Sequence, residues 1–330
     1  MMSEEASADG DPQAVYEALR DRVDDVLVGY EDVVEQVTVA LLSEGHVLLE
    51  GVPGVAKTTT ARLFARASGL QYQRVQMTPD VLPADITGTH VYREDVGDFE
   101  VRRGPVFTNV LLADEINRAT PKTQSALIES MREQTATIEG DSLPLPKPFL
   151  VVATQNPVEY EGTYALPQAQ RDRFLFKIVM EIPPREVEKT VLERFTADPT
   201  LAPDRIEPAV TPAAISEARQ VVRDVHVDAR VHDYVLDLME ATRESPATDH
   251  GGSPRASLAL ARASQARAAV DGRSYVIPDD VKRLARPALR HRLVLDADAT
   301  VRGRTTDDVV EELLGAVETP EADLVGPGED

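Results

Sequence analysis

The chain has no cysteine. That absence excludes a disulfide framework, a thiolate zinc site and a cysteine nucleophile. Aromatic residues make up only 5% of the sequence, and it offers no aromatic and basic groove of the kind that grips single-stranded nucleic acid. No apolar run approaches the roughly 18 residues of a membrane span, and the acidic N-terminus lacks the apolar centre of a signal peptide. We therefore expect a cytoplasmic protein with no membrane span. Lysine is scarce as well: Lys57, Lys122, Lys147, Lys177, Lys189 and Lys282 are all there are, and arginine supplies every other basic residue. The net charge of −22 argues against a nucleic-acid partner, because affinity for phosphate backbones comes from Lys and Arg neutralising them. Such an acidic, lysine-poor composition suits a high-salt cytoplasm, where salt screens self-repulsion, so a halophilic source is expected. The six histidines are scattered without helical ligand spacing, which speaks against a histidine metal site.

What is present centres on Gly51-Val52-Pro53-Gly54-Val55-Ala56-Lys57-Thr58. The stretch follows the apolar run Val47-Leu48-Leu49, a short buried strand, and opens a helix-period segment from Thr59 to Ala67. A glycine-rich turn between a strand and a helix points successive backbone N–H groups inward, and the helix start adds free N–H groups and a positive dipole end. A polyphosphate can be cradled there, with Lys57 reaching the β- and γ-phosphates and the Thr58 hydroxyl binding Mg²⁺. Ala56 stands where the usual pattern has its last glycine; a Cβ is accommodated there if φ is negative. The alternative is an ordinary turn between strand and helix.

With 330 residues the chain has room for two domains at about 100–200 residues each. Residues 1–11 read as a disordered acidic arm, followed by helices over Pro12–Val26 and Glu31–Ser43. The turn Val28-Gly29-Tyr30 between them either lies against a base or merely connects two helices. Strands are expected over Leu70–Met77 and Phe149–Thr154, and hairpins within an insertion at 79–105 and at 135–148. The run Val110-Leu111-Leu112-Ala113-Asp114-Glu115 is an apolar strand ending in two carboxylates downstream of the glycine-rich turn. This is the Walker B arrangement: Asp114 would hold Mg²⁺ through water and Glu115 would polarise an attacking water. Asn156, beyond the strand at 149–154, either orients that water or is a turn former before Pro157. A short helix over Pro167–Asp172 and a strand over Phe174–Met180 flank Arg171-Asp172-Arg173, which by itself is a solvated charge cluster. From about 186 onward the pattern is wholly helical, with a polar linker at 244–253 and an acidic tail from 317. Arg255 falls in a helix's first turn, where a cation faces the positive dipole end, so it either meets an outside anion or is a solvated side chain.

Five stretches in this order, Gly51–Thr58, Leu111–Ala119, Ala153–Pro157, Asp172–Phe174 and Ser253–Ala256, resemble the MoxR family of AAA+ ATPases. The resemblance covers about residues 12–315. It implies an α/β P-loop core with a parallel sheet over 12–183 and an all-α lid over 184–316. The implied cofactors are ATP and Mg²⁺, held by Gly51, Pro53, Gly54, Val55, Ala56, Lys57, Thr58 and Thr59, with Val28 and Gly29 near the adenine and Asp114 on the metal. Lys57, Glu115, Asn156 (sensor 1) and Arg173, an arginine finger supplied to a neighbour's nucleotide, are the implied catalytic residues. Arg171 competes with Arg173 for that role, and Arg118 is within reach of the interface. Arg255 would be sensor 2. The family reading further implies a ring, usually a hexamer, that remodels a protein client and works with a von Willebrand factor A domain partner. A nucleic-acid motor, a chelatase-like subunit and a nucleotide-gated module without turnover are the alternatives on the same core.

Overall fold

The computed structural model describes residues 10–95, 97–157, 163–198 and 205–320. Most of the expected arm and of the expected tail lies outside these. The chain opens with α1 (Pro12–Asp24) and α2 (Glu31–Leu42). Asp11 caps α1 by accepting from the Ala14 N–H at 3.1 Å, and Pro12 fits the first turn because its missing N–H is not needed there. Strand β1 (Val47–Glu50), α3 (Lys57–Ala67) and β2 (Tyr72–Gln76) follow. The insertion forms a short helix, α4 (Pro83–Thr87), and a hairpin of β3 (Gly88–Arg93) and β4 (Asp98–Arg103). Then come β5 (Val110–Asp114), a 3₁₀ turn (Ile116–Arg118), α5 (Pro121–Glu133), the hairpin β6 (Thr135–Ile138) and β7 (Asp141–Pro144), β8 (Leu150–Gln155), α6 (Gln168–Arg171) and β9 (Phe176–Val179).

The five long-range strands form one parallel sheet in the order β2-β5-β8-β1-β9. Alternate side chains along each strand enter different apolar layers. Val47, Leu49, Val110, Leu112, Leu150 and Val152 face the layer shared with α1, α2 and α3. Leu48, Leu111, Ala113, Val151 and Ala153 face the layer shared with α5 and the insertion. Burial on both faces is why these strands read as continuous apolar runs.

After β9 the chain is a helical lid: α7 (Arg185–Ala197), α8 (Pro212–Arg223), α9 (Ala229–Glu244), α10 (Pro254–Val270), α11 (Pro278–Leu289), α12 (Ala297–Val301) and α13 (Thr306–Ala316). The expectation of a wholly helical segment is corrected by β10 (Thr248–His250), inside the supposed linker, which pairs antiparallel with β11 (Val294–Leu295). Strands this short carry too few residues to show alternation. Buried side chains of α8, α9, α10 and α11 join those of α1 and α2 in one apolar layer, so the lid is built onto the sheet's first face. Other expected boundaries shift by one to four residues, as helix and strand ends commonly do.

Candidate active site

All strands of the sheet run the same way, so their C-terminal ends share one edge. That edge receives Glu50 from β1, Gln76 from β2, Asp114 from β5 and Gln155 from β8. The glycine-rich turn leaves β1 there and delivers Lys57 and Thr58 to the start of α3. Gly51 is required by close approach, since a Cβ would meet the Met180 carbonyl oxygen at 2.4 Å. Gly54 is required by its backbone, with φ of +92°. Ala56 departs from the expectation: its φ is +62°, in the left-handed region, so the alanine is held in a conformation that a Cβ disfavours by about 1 kcal/mol. The turn is set by its neighbours, and the alanine conforms to it.

The Lys57 ammonium donates to the carbonyl oxygens of Gly51 and of Val52, the latter at 3.2 Å, and to Asn156 Oδ1 at 2.8 Å. Burial lowers its pKa from the ordinary lysine value, and Asp114, Glu115 and Glu50 pull the other way. Asn156 also donates through Nδ2 to Glu115 Oε1 at 3.3 Å, so one amide joins the lysine to the carboxylate. Glu115 has a left-handed backbone, φ +58° and ψ +52°, which turns its side chain out of the strand line. Gln76 Nε2 and Arg118 Nη1 donate to its Oε2 at 2.9 and 2.8 Å. Arg118 is thus engaged by its own chain's carboxylate.

Asp114 is buried, with Oδ1 accepting the Thr154 hydroxyl at 2.6 Å and Oδ2 lying 3.3 Å from Thr58 Oγ1. Thr154 Oγ1 in turn accepts from the Glu115 N–H at 2.9 Å. A hydroxyl and a carboxylate at the start of a helix are hard oxygen donors, the set that Mg²⁺ takes when it keeps most of its waters. The residues present fit Mg²⁺ with a polyphosphate against the first-turn N–H groups of α3, which have no partners within the helix. Thr154, Gln76 and Arg74, which donates to Asp114, were not among the residues singled out from the sequence. Thr154 was findable as the one hydroxyl closing an apolar strand. Gln76 and Arg74 needed the register, which sets β2 beside β5 with Gln76 opposite Asp114.

In the turn Val28-Gly29, Gly29 packs against Val187 of α7, seven residues beyond Met180, which follows β9 and lies against Gly51. Arg171 and Arg173 lie elsewhere. They precede β9, whose entry is fixed by the Leu175 N–H donating to the His46 carbonyl at 2.7 Å, so their backbone enters at the N-terminal edge, although the charged neighbour of the Arg171 guanidinium is Glu50 of β1. Strands of four to six residues separate the two edges by roughly 13–20 Å. Arg171 donates to Gln168 Oε1 at 2.5 Å and is held within its own chain. Arg173 stands with Arg132, Arg255 and Arg262 around a cavity of about 270 Å³ beside Gly45. Burial and the positive neighbours Arg255 and Arg132 lower its guanidinium pKa. Arg255 reaches Asp172 at 3.5 Å, and Asp172 is anchored by Arg292 Nε at 2.9 Å. The structure therefore brings Lys57, Thr58, Asp114, Glu115 and Asn156 together, and brings Arg173 and Arg255 together at the opposite edge.

Residues 46–176 match the ATPase family associated with various cellular activities (AAA), and residues 240–313 match the AAA lid domain. Chaperone MoxR1 of Mycobacterium tuberculosis is 42% identical over 95% of this chain and 83% of its own length. Protein MoxR of Methylorubrum extorquens is 31% identical over 89% of this chain and 92% of its own length. The crystal structure of a candidate ATPase from Cytophaga hutchinsonii superposes with a TM-score of 0.87 at 38% identity, covering 94% of this chain and 96% of that one. Similarity over nearly the whole length of such relatives, together with a Walker A turn, a paired-carboxylate strand end and a helical lid in this chain, makes it a member of the MoxR family of AAA+ ATPases.

Proposed function

We propose that this ATPase completes each of its nucleotide sites from two copies of the chain in a ring, and couples hydrolysis to the remodelling or maturation of a protein client. The observation that carries the reading is the separation of the Walker residues from Arg173 and Arg255 by the full length of the sheet. Bound ATP and Mg²⁺ would supply the phosphoanhydride and the charge that holds its γ-phosphate to the turn. Lys57, with the N–H groups of residues 51–59, binds the phosphates; Thr58 and Asp114 hold the metal; Val28 and Gly29 flank the base. Glu115 orients the attacking water and draws its proton, while Asn156 keeps Glu115 and Lys57 in line. Arg173 serves the neighbouring copy's γ-phosphate, a role that Arg171, tied to Gln168, is less free to take. Arg255, beside Arg173, acts on the same neighbouring site.

A chaperone role is supported by the name of the mycobacterial relative. We further propose a hexamer, a von Willebrand factor A domain partner, a cytoplasmic and halophilic setting, and a division into a core over 12–183 and a lid over 184–316. Because a trans finger contributes about 10³- to 10⁵-fold in rate, Arg173→Ala should lose at least two orders of magnitude in turnover. It should still bind a labelled ATP analogue as the parent does. Retained turnover would remove Arg173 from the mechanism.

A further inference from the structure

Asp114 presents two oxygens with different company. Oδ1 is occupied by the Thr154 hydroxyl at 2.6 Å. Oδ2 faces Thr58 at 3.3 Å and also accepts two hydrogen bonds from one guanidinium, Arg74 Nε at 3.1 Å and Nη2 at 2.6 Å. The oxygen turned toward the metal-binding hydroxyl is thus the one that carries an arginine. A divalent cation and a guanidinium drawn to the same lone pairs repel each other, and at such range the repulsion is felt even near a protein surface.

The two partners differ in freedom. The Asp114 side chain is 9% exposed and fixed in the strand, whereas that of Arg74 is 48% exposed. The arginine is the member that can leave. Beside it, Thr58, Arg62, Arg66, Gln71 and Tyr72 line a cleft of about 420 Å³. Tyr72 lies two residues earlier on the same face of β2, and its buried hydroxyl has no hydrogen-bond partner among the described residues. A displaced guanidinium has room and an acceptor there, with Arg62 and Arg66 in the lining limiting how far it moves; in the present position its Nη2 also holds Gln76 Oε1 at 2.7 Å, on the side away from Tyr72.

We infer that Arg74 is a built-in counter-ion of Asp114 that competes with the divalent cation for Oδ2, so that loading of the metal with nucleotide requires Arg74 to swing toward Tyr72. Arg74 is a positioning residue: it sets the Mg²⁺ concentration at which the site fills. The inference rests on the reading of Thr58 and Asp114 as the metal-holding pair.

The test is a titration of Mg²⁺ into the full chain with a fluorescent ADP analogue, which reads binding without turnover. Mn²⁺ binding by electron paramagnetic resonance is a direct check. Arg74→Gln should lower the metal concentration at half-maximal binding by about three- to tenfold, the range of a half-exposed charge pair held by two contacts. Arg74→Lys, which keeps the charge but gives up one contact, should fall between Arg74→Gln and the parent, and it decides the matter if Arg74→Gln does not fold. An unchanged midpoint would make Arg74 a fastener between β2 and β5 and overturn the inference. A raised midpoint would make it a phosphate ligand and overturn it equally. A parent chain that binds no ADP at any Mg²⁺ concentration would overturn the nucleotide-site reading, and this inference with it.

Discussion

Asp114 and Glu115 are neighbours in sequence, yet their surroundings divide them. Asp114 keeps strand geometry and is fixed between Thr154 and Arg74, whereas Glu115 has a left-handed backbone and is fixed by Gln76, Arg118 and Asn156. One is aimed at the helix start of the Walker turn and the other across the cleft. Strained backbone at a residue of this kind persists only where its surroundings determine it. Ala56 is strained in the same way, with the added burden that glycine would suit its position better. Ala56→Gly should therefore raise the free energy of unfolding by about 0.5–1 kcal/mol, measured by urea denaturation without nucleotide. A loss of stability would mean that the unfolded chain's gain in freedom outweighs the relief.

Much at the scale of elements was legible in the sequence. The runs at 47–49, 110–113 and 149–153 are apolar because their strands are covered on both faces, and turn residues at 97 and 140 marked the two hairpins. The lid's β10 and β11 escaped because neither is long enough to show a period. The arginine cluster escaped too, since it needs the ends of α5 and α10 and the approach to β9 to converge. A structural feature of the same edge is His46. Its Nδ1 accepts from the Val151 N–H at 3.0 Å and its Nε2 donates to the Met131 carbonyl at 3.2 Å, joining β8 to α5. A proton on Nδ1 would face a donor, and burial lowers the pKa to about 4. Because the folded value lies below the ordinary 6.5, the neutral form favours folding above about pH 6.5. That stability is lost as pH falls toward about 4, in full roughly 3 kcal/mol. Burial moves the pKa of His291 in the same direction. Urea unfolding between about pH 7.5 and 4.5 should show a shallower fall in His46→Asn than in the parent; equal slopes would dissociate His46 from the acid sensitivity.

In the molecule as a whole, the pocket lies at one edge of the sheet and the cluster of Arg173 and Arg255 at the other. On the proposed reading, a single copy has the means to bind a nucleotide but not to finish the reaction. The most direct measurement mixes two inactive variants, Lys57→Ala, which should not bind ATP, and Arg173→Ala, which should bind without turnover. At fixed total protein the mixture should recover a fraction of the parent's ATPase rate, because a Lys57→Ala copy still offers Arg173 to an intact pocket beside it. If every mixing ratio remains as inactive as the separate variants while mixed rings form, the nucleotide site is not shared between copies.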